Sequence, residues 1–145
     1  MDINTFKRNY SNEDDTVAVM KQYLEEFAAE THSIFFCDYK DQENLTKPAW
    51  MLANLVGGFK QRTEHLMRDH FASVLITKSP EASHSEIHGF FVVPGQELSD
   101  KLREVADFES YNWTKADLSD DQQKQRIIDL GSWEIAHFAE GKVFK

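Results

Sequence analysis

Residues 71–93 read FASVLITKSPEASHSEIHGFFVV. Phe71 to Lys78 places apolar side chains on both faces of a pleated strand, the pattern of a central strand covered on both sides. Ile87 to Val93 is a second apolar run, ended by Pro94-Gly95. The polar stretch 79–86 between them is a surface loop. A link that short suits an antiparallel hairpin, because parallel strands need a crossover of a dozen or more residues.

The flanking segments extend this sheet and cover it. SIFFCDYK at 33–40 is rich in aromatic residues and reads as a strand. FESYNWTK at 108–115 alternates strictly, with Glu109, Tyr111, Trp113 and Lys115 on one face, as an outer strand with one covered face does. Residues 2–10 form a lead-in, and Ser11 with Asp14 has the spacing of a capping box. Val17, Met20, Leu24 and Phe27 then share one helical stripe, predicting a helix from about 12 to 29. Pro48 opens another, with Leu52, Leu55, Val56, Phe59 and Leu66 on its face, predicted to reach about Arg68. Gly57-Gly58 lies inside it, and each glycine costs about 1 kcal/mol of helix relative to alanine. Glu64 and Arg68 have i,i+4 spacing there. Residues 96–107 are ambiguous, with a short helix around Leu98 to Val105. Ser119 and Gln122 suggest a cap for a last helix halted by Gly131. The tail SWEIAHFAEGKVFK keeps Trp133, Ile135, Phe138 and Phe144, so it should dock on the domain. The prediction is one α+β domain over 1–145, a mostly antiparallel sheet flanked by helices.

Composition agrees with a packed domain. The chain has 145 residues, 41% of them hydrophobic, with eleven Phe. Its formal charge of −9 opposes general nucleic-acid binding, which wants net positive surface. A single cysteine, Cys37, excludes an internal disulfide framework and a Cys-rich zinc site. No apolar run approaches the ~18 residues of a membrane span. MDINTFKRNY is not a signal peptide, and the expected location is cytoplasmic.

The residues able to carry chemistry are dispersed. His84 and His88 have H-x-x-x-H spacing, but the metalloprotease pattern needs Glu directly after the first His. Cys37 sits in an apolar strand and reads as an inert buried thiol. Asp38 and Glu109 are the carboxylates best placed for acid–base work, being in strands, yet nothing pairs them. Gly57-Gly58 fits neither the P-loop nor the dinucleotide fingerprint. No catalytic, cofactor or metal residues are assigned. The residues read as an interaction surface are Lys7, Arg8, Arg62, Tyr111, Trp113, Trp133 and Lys142, since Trp, Tyr and Arg are the usual interface anchors.

Several segments together resemble a known family. FKRNYSNEDDT at 6–16, NLVGGFKQR at 54–62, FASV at 71–74, Gly89, GQEL at 95–98, FESYNWTKADL at 108–118 and GKVFK at 141–145 are similar, in order, to the C-terminal domain of eukaryotic translation elongation factor 1 gamma. The sequence departs where that family usually has Trp in place of Phe108 and Cys-Asn in place of Ala53-Asn54, and in the 96–107 connection. The resemblance implies an α+β domain in the elongation factor 1 complex, which reloads the aminoacyl-tRNA-carrying factor with GTP. In that family the gamma subunit is not the exchanger. It organises the exchanging subunit, chiefly through an upstream transferase-like domain and linker that are expected to be missing here. The function implied is a non-catalytic structural and interaction module without cofactor. Its partners would be other complex subunits, with aminoacyl-tRNA synthetases as further partners. The alternatives kept are a tRNA- or RNA-contacting accessory domain and a small carboxylate- or histidine-dependent enzyme.

Overall fold

The computed structural model describes residues 1–145. Its centre is a five-stranded antiparallel sheet built from β1 (His32–Tyr39), β2 (Phe71–Thr77), β3 (Glu86–Pro94), β4 (Tyr111–Lys115) and β5 (Phe138–Phe144), in the spatial order β4-β1-β3-β2-β5. The 71–93 hairpin is present, with Val74 opposite Gly89 and Phe71 opposite Val92. The period of two divides the sheet residues between two cores. Ile34, Phe36, Phe71, Leu75, Phe90 and Val92 pack beneath α1 (Ile3–Asn12), α2 (Thr16–Glu25) and α5 (Asp121–Ser132). On the other face, Phe35, Cys37, Val74, Ile76, Phe91 and Val93 meet α3 (Ala49–Arg62) and the short α4 (Asp100–Arg103).

The N-terminal segment differs from the sequence reading. The lead-in is itself a helix, α1, capped by Asp2, whose carboxylate accepts from Asn4. Ser11 and Asn12 finish α1 and cap nothing downstream. The next helix starts after Asp15, whose carboxylate accepts the Ala18 amide at 3.0 Å, and it ends at Glu25. The break lets both short helices pack on the same face of the sheet. Phe6 stacks on Tyr23 with ring centroids 3.9 Å apart and meets Phe71 edge-on at 4.7 Å.

Three other boundaries move. The helix after Pro48 stops at Arg62, where the Thr63 hydroxyl donates to the carbonyls of Phe59 and Lys60, so Glu64 and Arg68 never share a helix face. The outer strand begins only at Tyr111, because 106–110 forms a 3-10 turn that folds Phe108 flat against Trp113 at 5.0 Å. Asp120, not Ser119, caps α5, which runs through Gly131 and is ended by Trp133 in the left-handed region at φ 61. The docked tail proves to be β5, paired with β2.

If Asp15 rather than Ser11 nucleates α2, Asp15→Ala lowers the unfolding free energy in urea by about 1 kcal/mol, while Ser11→Ala costs at most a few tenths. Equal losses from the two variants would return the cap to Ser11.

Candidate functional site

The seven residues read from sequence as an interaction surface do not form one patch. β4 and β5 are the two opposite edges of the sheet, so Trp113 and Lys142 stand on opposite sides of the molecule. Tyr111 is a correction: it is 3% exposed, stacked on Phe59 in the core, and burial pushes its phenol pKa well up. Trp113 is half-buried between Phe108 and Phe91, and its indole N–H donates to the Phe108 carbonyl at 3.0 Å. Lys7 is half-buried and donates to the Met67 carbonyl; burial lowers its pKa against the opposing pull of Asp69. Arg8 is exposed, with a single contact to the Thr5 hydroxyl. Lys142 is half-buried on β5.

Arg62 explains half of the glycine pair in α3. Its guanidinium makes a two-pronged contact with Asp107, Nε to Oδ1 at 2.7 Å and Nη2 to Oδ2 at 2.8 Å. To do so it folds back over the preceding helical turn, and a Cβ on Gly58 would lie 2.6 Å from Nη2. The pair ties α3 to the 106–110 turn beside β4.

Trp133 is the one member of the set that presents a large apolar surface. It is 38% exposed, donates its indole N–H to Ser73 Oγ at 3.2 Å, and lies near Phe138. Two further exposed apolar residues were missed: Trp50, 63% exposed, and Met51, 36% exposed, in the first turn of α3. The signal was available. At 3.6 residues per turn, Trp50 lies two positions from Leu52 and so on the side away from the Leu52–Val56–Phe59 stripe.

The polar side chains that do converge are Asp38, His88, Arg126 and Glu86. Asp38 and His88 are register partners across β1 and β3, on the face covered by α5. Asp38 Oδ1 accepts from Arg126 Nη2 at 2.6 Å and from His88 Nδ1 at 2.6 Å. His88 Nε2 reaches Glu86 Oε1 at 3.1 Å. With a carboxylate at each ring nitrogen, the imidazolium is the form that satisfies both. Burial by itself would lower the His88 pKa, but the bonds to Asp38 and Glu86 outweigh it and raise it. Burial would raise the Asp38 pKa, and the donors His88 and Arg126 overcome this and hold it below the usual range. Arg126 also lies over the Phe36 ring, 4.4 Å from its centroid.

Two cavities open on either side of Arg126. One, of about 300 Å³, is lined by Thr77, Ser79, His84, His88 and His137. The other, of about 400 Å³, is lined by Asp38, Lys115, Asp120 and Gln122. The H-x-x-x-H residues thus share a cavity, but His84 Nδ1 is engaged by the Ser85 carbonyl and His88 by its carboxylates. No group of three or more His, Cys, Asp or Glu side chains is placed to hold a metal ion. Cys37 lies on the opposite face, fully buried, where burial and then Asp38 raise its thiol pKa well above normal. Glu109 is exposed and makes no ion pair. The arrangement clamps α5 to the sheet.

Residues 1–97 match the family model described as "Elongation factor 1 gamma, conserved domain". "Probable elongation factor 1-gamma" of Caenorhabditis elegans is 37% identical over 149 aligned residues, covering 99% of this chain and 37% of that protein. Elongation factor 1-gamma-A of Xenopus laevis is 37% identical, covering 97% of this chain and 33% of its own length. Elongation factor 1-gamma of Homo sapiens is 34% identical, covering 99% and 34%.

The chain belongs to the elongation factor 1 gamma family.

It spans about a third of the length of the relatives it matches. The family segments recognised in the sequence are largely occupied in building the fold. Tyr10 donates to the Gly131 carbonyl at 2.6 Å, Arg62 is held by Asp107, and Phe144 of the terminal GKVFK is fully buried. In this elongation factor domain the ionic clamp is split by the family match: Asp38, Glu86 and His88 lie within the matched segment, and Arg126 lies beyond it.

The raised His88 pKa fixes a pH dependence. Stability from the protonated ring is fully present below its unfolded pKa of about 6.5 and is lost as pH rises through the higher folded value. Urea unfolding from about pH 6 upward should therefore show declining stability, and His88→Gln should flatten that decline while leaving the protein weaker on the acid side. Identical slopes for the two proteins would mean that His88 carries no such charge. Asp38 acts in the opposite direction: its contribution is present above about pH 4 and disappears on acidification through its lowered folded value.

Proposed function

We propose that this domain is a non-catalytic interaction module of the translation elongation factor 1 complex, corresponding to the C-terminal-type domain of its longer relatives. In this reading it supports the assembly that carries the guanine-nucleotide exchange subunit. Its partners are other subunits of that complex, with aminoacyl-tRNA synthetases as further partners, and it works in the cytoplasm. No helix is long and apolar enough to cross a membrane.

The observation that carries the reading is the alignment of 97–99% of the chain with proteins named elongation factor 1-gamma. The chemistry of the converging side chains supports it. Asp38 and Glu86 neutralise His88 and Arg126 across β1, β3 and α5, so their free energy goes into joining elements. Trp50, Met51 and Trp133 remain on the surface as apolar groups of the kind that anchor partners.

The test is capture of purified elongation factor 1 subunits and aminoacyl-tRNA synthetases on the immobilised domain. Trp50→Ala and Trp133→Ala should each weaken retention, by roughly fivefold or more for a residue costing above 1 kcal/mol. Retention of none of these partners at micromolar concentration, or undiminished retention by both variants, would reject the module reading. Retention of tRNA that falls steeply with salt would favour the RNA-contacting alternative instead.

A further inference from the structure

We propose that the outer edge of β5 is a self-pairing edge, to which a second copy of this chain adds its own β5, antiparallel and centred on Gly141. β5 is the last strand of the sheet and is bonded only to β2. No backbone group from Phe138 to Phe144 forms a hydrogen bond outside that ladder. A terminal strand in this condition presents a row of unpaired N–H and C=O groups, which is a template for another strand.

The local sequence selects the occupant. Residues 139–143 read Ala-Glu-Gly-Lys-Val. An antiparallel pair centred on Gly141 sets Glu140 against the partner's Lys142 and Lys142 against the partner's Glu140, with Ala139 opposite the partner's Val143. Opposite charges facing each other across strands stabilise the pair, and like charges there destabilise it. Both charges face the α3 side of the sheet, Glu140 in register with Ile76 and Lys142 with Val74. Both are half-buried, and neither has an ion-pair partner within its own chain. A second copy supplies the missing partner to each. β4, the other edge, is shorter and has no such self-complementary charge pattern: an antiparallel pair centred on Trp113 would set Asn112 against Thr114.

Gly57 is a second and independent observation. A glycine inside a helix is unfavourable relative to alanine. Unlike Gly58, it has no reason within its own chain, since a Cβ there would meet only Lys142 Cε at 3.9 Å, an ordinary contact. Bare helix backbone beside Lys142 leaves room there for a neighbouring chain at this edge. The two-fold contact uses the same edge of both copies, so it closes at a dimer. The register shift between Ile76 and Thr77 disturbs β5 before Glu140, so the regular part of a pair centred on Gly141 is short, Glu140 to Lys142, and the dimer should form reversibly with concentration.

Sedimentation equilibrium of the 145-residue chain at low salt tests this, with circular dichroism to show that each variant is folded. The expected result is a monomer–dimer equilibrium that Lys142→Glu or Glu140→Lys weakens by about tenfold or more, each reversal replacing attraction by repulsion on both sides of the axis. The double exchange Glu140→Lys with Lys142→Glu should restore dimerisation, because opposite charges again face each other. Gly57→Ala should raise the melting temperature of the monomer and weaken the dimer. Amide exchange in the dimer should slow at the outward-pointing N–H groups around Gly141. A chain that stays monomeric up to its solubility limit would overturn the proposal. So would single charge reversals that leave association unchanged, or a double exchange that fails to restore it.

Discussion

All seven residues of β2, Phe71–Thr77, are shielded from water, and the rest of the molecule is arranged to supply that shield. A strand covered on both faces needs a packed layer above and another below. The layer of α1, α2 and α5 closes over Phe71 and Leu75, and α3 with α4 closes over Val74 and Ile76. Each fully buried side chain of this size contributes about 1.5–3 kcal/mol relative to leaving it in water. β3 shares the requirement, with Phe90 turned to one layer and Phe91 to the other.

Polar groups that enter this interior are bound by a second constraint, that a buried charge must be matched. Asp38, with its side chain 30% exposed at the margin of this interior, is subject to it in part. It lies in a strand otherwise flanked by Ile34 and Phe36 on the same face, and it keeps its charge because His88 and Arg126 both donate to one oxygen. Ser73 meets the same demand in β2, donating its hydroxyl proton to the Leu130 carbonyl at 2.8 Å and accepting from the Trp133 indole. Removing one partner from such a set leaves the others unsatisfied, so these groups belong to the architecture as firmly as the aromatic residues do. No buried side-chain nitrogen or oxygen is left without a partner.

The surface carries what the interior does not need. Trp50 and Met51 face away from the α3 stripe, and Trp133 occupies a left-handed turn, φ 61, between α5 and β5. A bulky side chain at positive φ is sterically strained. The strain is offset here by the hydrogen bond to Ser73 and the contact with Phe138.

Local pattern determined by itself the 71–93 hairpin, the strand at 33–40, the helix after Pro48 and the α+β class, because apolar periodicity over such lengths admits one reading. The family was legible too, since segments such as NLVGGFKQR and GKVFK keep their order. Only tertiary structure decided the competition between equivalent local signals. Asp15 caps α2 in place of Ser11 because α1 already uses residues 3–12, and 106–110 forms a turn that stacks Phe108 on Trp113 in place of a strand. Of the seven residues first read as a surface, Tyr111 and Trp113 look identical in sequence to exposed anchors such as Trp133. What separates them is the contact with Phe59 and Phe91, residues 52 and 22 positions away in the chain, and a relation over that distance is settled by packing rather than by neighbouring residues.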